Sequence, residues 1–142
     1  MADKKIHLRV VTPARVKVDE KVDMVIMRCI TGDLGVLPGH APCSAVLYYG
    51  AMRILADESE RRMAVYGGFA TVQNDVLTIL TNGAEWPEEI NLARAEAERE
   101  AAEDRLREQT DEREIRNDQI RLRRALVQIE VSSDAVASLD DD

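Results

Sequence analysis

Aromatic side chains are scarce in this chain: 142 residues hold one phenylalanine, one tryptophan and three tyrosines. Any core must therefore be aliphatic, filled by valine, isoleucine, leucine and methionine. Only two histidines are present, His7 and His40, and neither stands in a spacing that suits a zinc site or a facial triad. No nucleophile–histidine–acid set is suggested, so the inventory argues against hydrolase and metalloenzyme chemistry. The two cysteines, Cys29 and Cys43, lack metal-site spacing and read as small buried hydrophobes in a reducing compartment. No segment approaches the roughly 20 apolar residues of a membrane span. Met1 to Lys5 is followed by alternating residues rather than the apolar stretch of a secretory signal. Any membrane association is therefore expected to run through a partner.

The second missing set is local. Residues 87–142 contain no lysine, glycine or tyrosine, and their 9 arginines and 17 acids account for the whole net charge of −8. Residues 1–86 balance 10 basic against 10 acidic side chains. The composition shift puts a boundary near Trp86-Pro87, giving a domain over 1–86 and a second part over 87–142. An acidic balance disfavours a general nucleic-acid binder, because phosphate contacts need a basic face.

From Lys5 to Leu80 the apolar period is mostly two. Ile6, Leu8 and Val10 alternate with His7, Arg9 and Val11, and Val16 and Val18 continue the pattern. Val22 to Cys29, Ala45 to Tyr49, Ala51 to Ala56, Arg62 to Tyr66, Phe69 to Val72 and Val76 to Leu80 follow as strands. Asp57-Glu58-Ser59 and Gln73-Asn74-Asp75 read as turns, and Gly67-Gly68 as a bulge or bend. Short strands at such intervals predict a β-sandwich or barrel.

From Glu88 the pattern turns helical, with Pro87 in a first-turn position and Glu88 and Glu89 at the positive end of the dipole. Ala93, Ala97 and Ala101 recur at four-residue spacing, with Ala102 and Leu106 beside them. After a break at Glu108 to Asp111, Asp111 and Glu114 have capping-box spacing, and Ile115, Leu122, Leu126 and Ile129 make one face. Ile120 and Val127 flank that face. The expectation is an antiparallel two-helix hairpin, with a frayed acidic tail after Ser132. The fold class is thus α+β: an N-terminal β-sandwich followed by a C-terminal two-helix antiparallel hairpin. An alanine-rich face holds a helix loosely, since each missing methylene forgoes about 0.8 kcal/mol of burial. Such a hairpin is suited to moving between two sites, and a static lid is the alternative.

The most distinctive segment is Thr31-Gly32-Asp33-Leu34-Gly35-Val36-Leu37-Pro38-Gly39-His40-Ala41-Pro42. Three glycines and two prolines point to a structured loop rather than a helix or central strand. No Gly-Lys-Ser/Thr follows, so it is no phosphate loop. Leu34 and Val36 are expected to tuck inward while Asp33 and His40 face a partner; for His40 a hydrogen bond to backbone is the plainer role.

This run resembles the Gly-acidic-x-Gly-φ-φ-Pro-x-His-Ala-Pro signature of the epsilon subunits of F-type ATP synthases. Val65-Tyr66-Gly67-Gly68-Phe69-Ala70 resembles that family's Gly-Gly-Phe turn, in the same order along the chain. The resemblance implies a non-catalytic subunit of the rotating central stalk, clamped to the gamma subunit and resting on the c-ring. Asp33, Leu34 and His40 are then the residues that meet gamma or the c-ring. It further implies C-terminal helices that reach the alpha/beta catalytic hexamer and oppose ATP hydrolysis, with Arg116, Arg121, Arg123 and Arg124 as candidate contacts. Coupling of c-ring rotation to ATP synthesis and a peripheral position on the cytoplasmic face of a bacterial cell membrane follow. The lack of a transit peptide favours the bacterial form.

Some members of that family bind ATP through an Ile/Leu-Asp-x-x-Arg-Ala motif. Here Ile90, Arg94 and Ala95 match, as do Glu85 upstream and Arg124 on the second helix. Asn91 replaces the aspartate, and Ala101 and Gln128 stand where arginines help in tight binders. With two cations fewer for a polyanion, any ATP binding is expected to be weak; no other cofactor is implied. The rival classes are a free-standing adaptor, with a sandwich module and a helical interaction hairpin, and a low-affinity ATP sensor.

Overall fold

A computed structural model describes the backbone of residues 4–140 and side chains through residue 133. Contacts cluster into two units, Met1–Glu85 and Trp86–Asp142. The first is built of eight strands: β1 (Ile6–Val11), β2 (Val16–Val22), β3 (Met24–Cys29), β4 (Gly32–Val36), β5 (Cys43–Ala56), β6 (Ser59–Gln73), β7 (Val76–Leu80) and β8 (Ala84–Glu85). They follow the order β2-β1-β7-β6-β5-β3-β4, with β8 also on β6. All pairings are antiparallel except β1 with β7.

The two layers arise because β5 and β6 are long and bend, and β6 changes partner midway. The first half of β6 pairs with β8 through Ala64 and Val65, and its second half pairs with β7 from Phe69 to Gln73. Between the halves lie Gly67 and Gly68, both at positive φ. A Cβ on Gly68 would sit 2.1 Å from the Leu80 carbonyl oxygen, so only glycine lets the strands approach here. On β5 the bend falls near Gly50, where a Cβ would meet the Arg28 side chain at 2.7 Å. The β3–β5 register slips at the same level, between Ile26 and Cys29.

Period-two alternation then puts Ile6, Leu8, Val10, Leu77, Ile79, Ala70 and Val72 inside, together with Val25, Met27, Met52, Ile54, Met63 and Val65. The core is aliphatic, as the scarcity of aromatics demands. The turns expected at Asp57-Glu58 and Asn74-Asp75 are two-residue hairpin connections with positive φ at both positions, the type I′ geometry that fits strand twist.

The glycine-proline run departs from expectation. Gly32–Val36 is not loop but strand β4, paired antiparallel to β3 from Val25↔Val36 to Cys29↔Gly32. It ends the strand order, where glycines are tolerated, and both prolines fall beyond it.

The second unit starts with a 3-10 turn, Pro87–Glu89, in which the Trp86 amide donates to Glu89 Oε1 at 2.9 Å. The chain is extended at Ile90 and Asn91, and helix α1 runs from Leu92 to Glu108. Glu88 and Glu89 therefore belong to the 3-10 turn, not to the first turn of α1 as the charge pattern suggested. Helix α2 runs from Glu112 to Asp140, with Asp111 Oδ1 accepting from the Arg113 amide as its cap. Backbone after Ser132 is helical rather than frayed, and Asp141 and Asp142 lie outside the described residues.

The two helices form the expected antiparallel hairpin, and its seam keeps Ile115, Leu122 and Ile129 of the expected α2 face, with Ala102 and Leu106 of α1, but not Leu126 or the Ala93–Ala97 line. On α1, Ala93 and Ala97 are exposed, and the covered positions are Leu92, Ala95, Arg99, Ala102 and Leu106, with Gln109 just beyond the helix end. On α2 the same spacing takes in Ile115, Asp118, Leu122, Ala125, Ile129 and Ser132; Val127 and Val131 are buried beside that line, while Leu126 is exposed. Both sets step by three and four, the heptad spacing of a coiled-coil seam. Arg99 and Asp118 hide that spacing from a search for apolar residues.

Candidate functional site

The loop after β4 is held by one bond to a neighbouring turn and two within itself. The Gly39 amide donates to Asp75 Oδ1 at 2.7 Å, fixing the loop to the β6–β7 turn. The His40 amide donates to Leu37 O at 3.1 Å, and its Nδ1 lies 2.7 Å from Ala41 O, so the ring donates to backbone. Asp33 is exposed on β4, with Arg28 Nε 3.7 Å from its carboxylate, and Leu34 is half-buried. Val36 is fully buried. Asp33 therefore lies on the open surface, whereas His40 is half-buried and engaged with its own loop.

Beside this loop the register assembles a surface that the strand pattern alone does not reveal. Val46 pairs with Phe69 and Phe69 with Leu80, and the Ile30 amide donates to Val46 O at 3.0 Å. These four residues form one row across β7, β6, β5 and the end of β3. They are 48%, 41%, 51% and 63% exposed for Val46, Phe69, Leu80 and Ile30, and Tyr48 extends the row along β5. At a strand spacing of about 4.8 Å the row is roughly 15 Å long. A contiguous apolar row on an outer sheet face is a candidate interaction surface. The signal is present in sequence as apolar residues in the outward phase of strands whose other phase is core.

The outer face of β1 and β2 is polar by contrast. His7 Nε2 hydrogen-bonds Asp19 Oδ1, and that bond holds the Asp19 carboxyl below the usual carboxylate range. Lys5 bridges Asp23 (2.6 Å) and Asp57 (3.1 Å), which raises its own pKa and lowers that of Asp23.

On the second unit, the residues matched to an ATP motif have local roles. Asn91 caps α1, its Oδ1 accepting from the Arg94 amide at 3.1 Å. Arg94 is ion-paired with Glu98 at 3.2 Å, Ala95 is buried and Ile90 ends the 3-10 turn. Arg124 is exposed on α2. Glu85, on β8 of the sandwich, accepts a hydrogen bond from the Tyr66 hydroxyl. Arg116, Arg123 and Arg124 are exposed on α2; Arg121, also exposed, donates to Asp118 Oδ1 at 2.8 Å. Asp118 also accepts from Arg105 Nε of α1 at 2.9 Å, although its side chain is only 1% exposed. Arg105 is the main cause of its lowered pKa. A buried carboxylate on an arginine-rich helix was not anticipated, because charge runs normally mark solvated faces.

Among the described residues no group of histidine, cysteine and acid could hold a metal ion, and no helix is long and apolar enough to cross a membrane. The architecture is thus a small sandwich with an apolar outer row, carrying a charged two-helix hairpin. Residues 5–87 match the beta-sandwich domain of the ATP synthase delta/epsilon chain, and residues 88–133 match the long alpha-helix domain of the same chain. The chain belongs to the ATP synthase delta/epsilon family. It is 40% identical over 129 residues to the ATP synthase epsilon chain of Bacillus velezensis, covering 91% of this chain and 98% of that one. With the epsilon chain of Caldanaerobacter subterraneus subsp. tengcongensis it shares 37% over 132 residues, covering 92% and 96%. Among solved structures it resembles a chain of the Euglena gracilis mitochondrial ATP synthase OSCP/F1/c-ring assembly. That likeness has a TM-score of 0.78 and 25% identity, covering 93% of this chain and 81% of the other.

Proposed function

We propose that this chain is the epsilon-type rotor subunit of a proton-translocating F-type ATP synthase. The observation that carries the reading is the end-to-end correspondence: sandwich and helical hairpin match one family in order over residues 5–133. In this reading the contribution is mechanical. The row Ile30–Val46–Phe69–Leu80 gives gamma an apolar face, and Asp33 and Leu34 on the β4 edge, with His40 in the following loop, meet gamma or the c-ring. A rigid sandwich transmits torque without chemistry of its own, so catalysis belongs to the alpha/beta hexamer. The complex holds the chain at the cytoplasmic face of the cell membrane as a peripheral subunit.

The hairpin supplies control. Arg116, Arg123 and Arg124 project from α2, and screening over about 8–10 Å means that they act only when the helix touches an acidic surface of the hexamer. Replacing Arg116, Arg121, Arg123 and Arg124 together by alanine is expected to raise the ATPase activity of the reconstituted complex at unchanged subunit stoichiometry. Unrelieved activity in that variant and in a hairpin deletion makes the helices a static lid. ATP is proposed as a weak ligand of the hairpin at Ile90, Asn91, Arg94, Ala95 and Arg124. Binding there competes with the Asn91 cap and the Arg94–Glu98 pair, and a thermal-shift titration with ATP reads it.

A further inference from the structure

We infer that Asp75 is a positioning residue for docking: from the β6–β7 turn its carboxylate holds the loop over residues 37–42 in the conformation that a rotor partner meets. Pro38 and Pro42 fix their own φ and stiffen this loop near both ends. Between them Gly39 is the soft point. It has φ +85°, and a Cβ added there would meet nothing within 4 Å, so this glycine serves the dihedral and not a close approach. Such a dihedral stays free unless the amide is held, and the Gly39 amide donates to Asp75 Oδ1 at 2.7 Å, 36 residues along the chain. The loop's other bonds are local: the His40 amide to Leu37 O, and His40 Nδ1 to Ala41 O with Cys43 Sγ 4.0 Å away. They shape the loop without tying it to the rest of the sandwich. The mount is itself anchored, because Asp75 O accepts from the His7 amide of β1 at 2.8 Å. What the clamp presents is Leu37, 53% exposed, with Ala41 and Pro42 also exposed and His40 half-buried.

The turn's own chemistry separates this role from a merely structural one. Asn74 and Asp75 have φ 51° and 60°, and in a type I′ turn the second of these positions favours glycine. An Asn-Gly pair is the preferred solution, whereas a residue with a Cβ is strained in the left-handed region. The Asp75 side chain does what glycine cannot. It brings a charged acceptor to the Gly39 amide, and charge-assisted hydrogen bonds are the stronger kind. Glycine at position 75 would therefore suit the hairpin better and the loop worse. A loop already held in its bound shape loses less freedom on association, so the clamp acts on affinity rather than on folding.

This inference rests on the reading of the chain as a rotor subunit, and the wild-type arm of the experiment tests that reading separately. The full chain is titrated into detergent-solubilised ATP synthase lacking this subunit, and the dissociation constant is measured beside the urea unfolding midpoint of the free chain. Asp75→Gly is expected to weaken binding about five- to tenfold while its unfolding midpoint equals or exceeds that of wild type. Amide exchange at Gly39 is expected to speed up in the same variant. Asp75→Asn keeps an acceptor oxygen and tolerates the left-handed turn, so it is expected to restore binding to within about twofold of wild type. Asp75→Gly binding as tightly as wild type, or weakening only in step with a fall in stability, overturns the inference and leaves the rotor reading intact. An Asp75→Asn variant as weak as Asp75→Gly makes the charge itself the contact and overturns the positioning role. Wild type that fails to bind the complex removes the rotor reading and this inference with it.

Discussion

Gly68→Ala is the substitution that most sharply tests how the sandwich is built. Gly68 has φ +128°, and a Cβ there would lie 2.1 Å from Leu80 O and 2.9 Å from Thr81 Cα. Both obstacles are backbone, which cannot swing aside as a side chain does. Relief requires β7 to retreat by about 1 Å, which strains the Phe69↔Leu80 pairing and the Thr81 amide bond to Val11 O. The dihedral alone costs about 1–3 kcal/mol and the overpacking about 1–3 kcal/mol more. The sum, about 2–6 kcal/mol, is a large part of an ordinary domain stability of about 5–15 kcal/mol. Gly32→Ala is the matched control, because Gly32 has φ +123° and nothing within 4 Å of the added carbon. Urea unfolding followed by near-ultraviolet circular dichroism suits the comparison, since Tyr48, Tyr49 and Tyr66 all lie on β5 and β6. Gly68→Ala is expected to lose about 1–3 kcal/mol more than Gly32→Ala. Equal losses would refute the close approach as the reason for glycine.

Phe69→Asp and Leu80→Asp should weaken assembly with the rotor by tenfold or more while costing the fold only about 1 kcal/mol, because about half of each residue is already in water; unaltered assembly takes the row out of the interface. Acid should loosen the fold. Asp19, Asp23 and Asp118 have lowered pKa values, held by His7, Lys5 and Arg105, so their stabilisation is complete above the ordinary carboxylate range near 4 and is lost as pH falls through the lowered values. Lys5, raised, contributes below its ordinary range and loses that contribution only in strong alkali. Thermal unfolding should therefore be flat through neutrality and fall below pH 4; a Tm that holds in acid contradicts these pairings.

Much of the sandwich was legible because β-strands declare themselves by alternation. Ile6-Leu8-Val10 and Leu77-Ile79 are buried in the phase that the alternation demands, and the turns at Asp57 and Asn74 lie between the expected strands. What stayed hidden depends on pairing. Gly32–Val36 looks like loop until β3 is beside it, and the Val46–Phe69–Leu80 row exists only once three strands are in register. The helical unit was harder for a different reason. Alanine is common on both exposed and buried helix faces, so Ala93 and Ala97 mislead, whereas the true seam passes through Arg99 and Asp118, which no hydrophobic period selects. For the candidate site, the glycine-proline run drew attention to Asp33 and His40, but the clamp from Asp75 Oδ1 to Gly39 joins positions 36 residues apart.

The central claim is membership of a rotor. An affinity-tagged copy of the full chain, expressed in its own cells and drawn from detergent-solubilised membranes, should bring down gamma, the alpha and beta subunits and the c subunit, identified by mass spectrometry, with Phe69→Asp reducing all of them together. Recovery of the tagged chain without ATP synthase subunits, or with an unrelated partner in their place, would contradict the account.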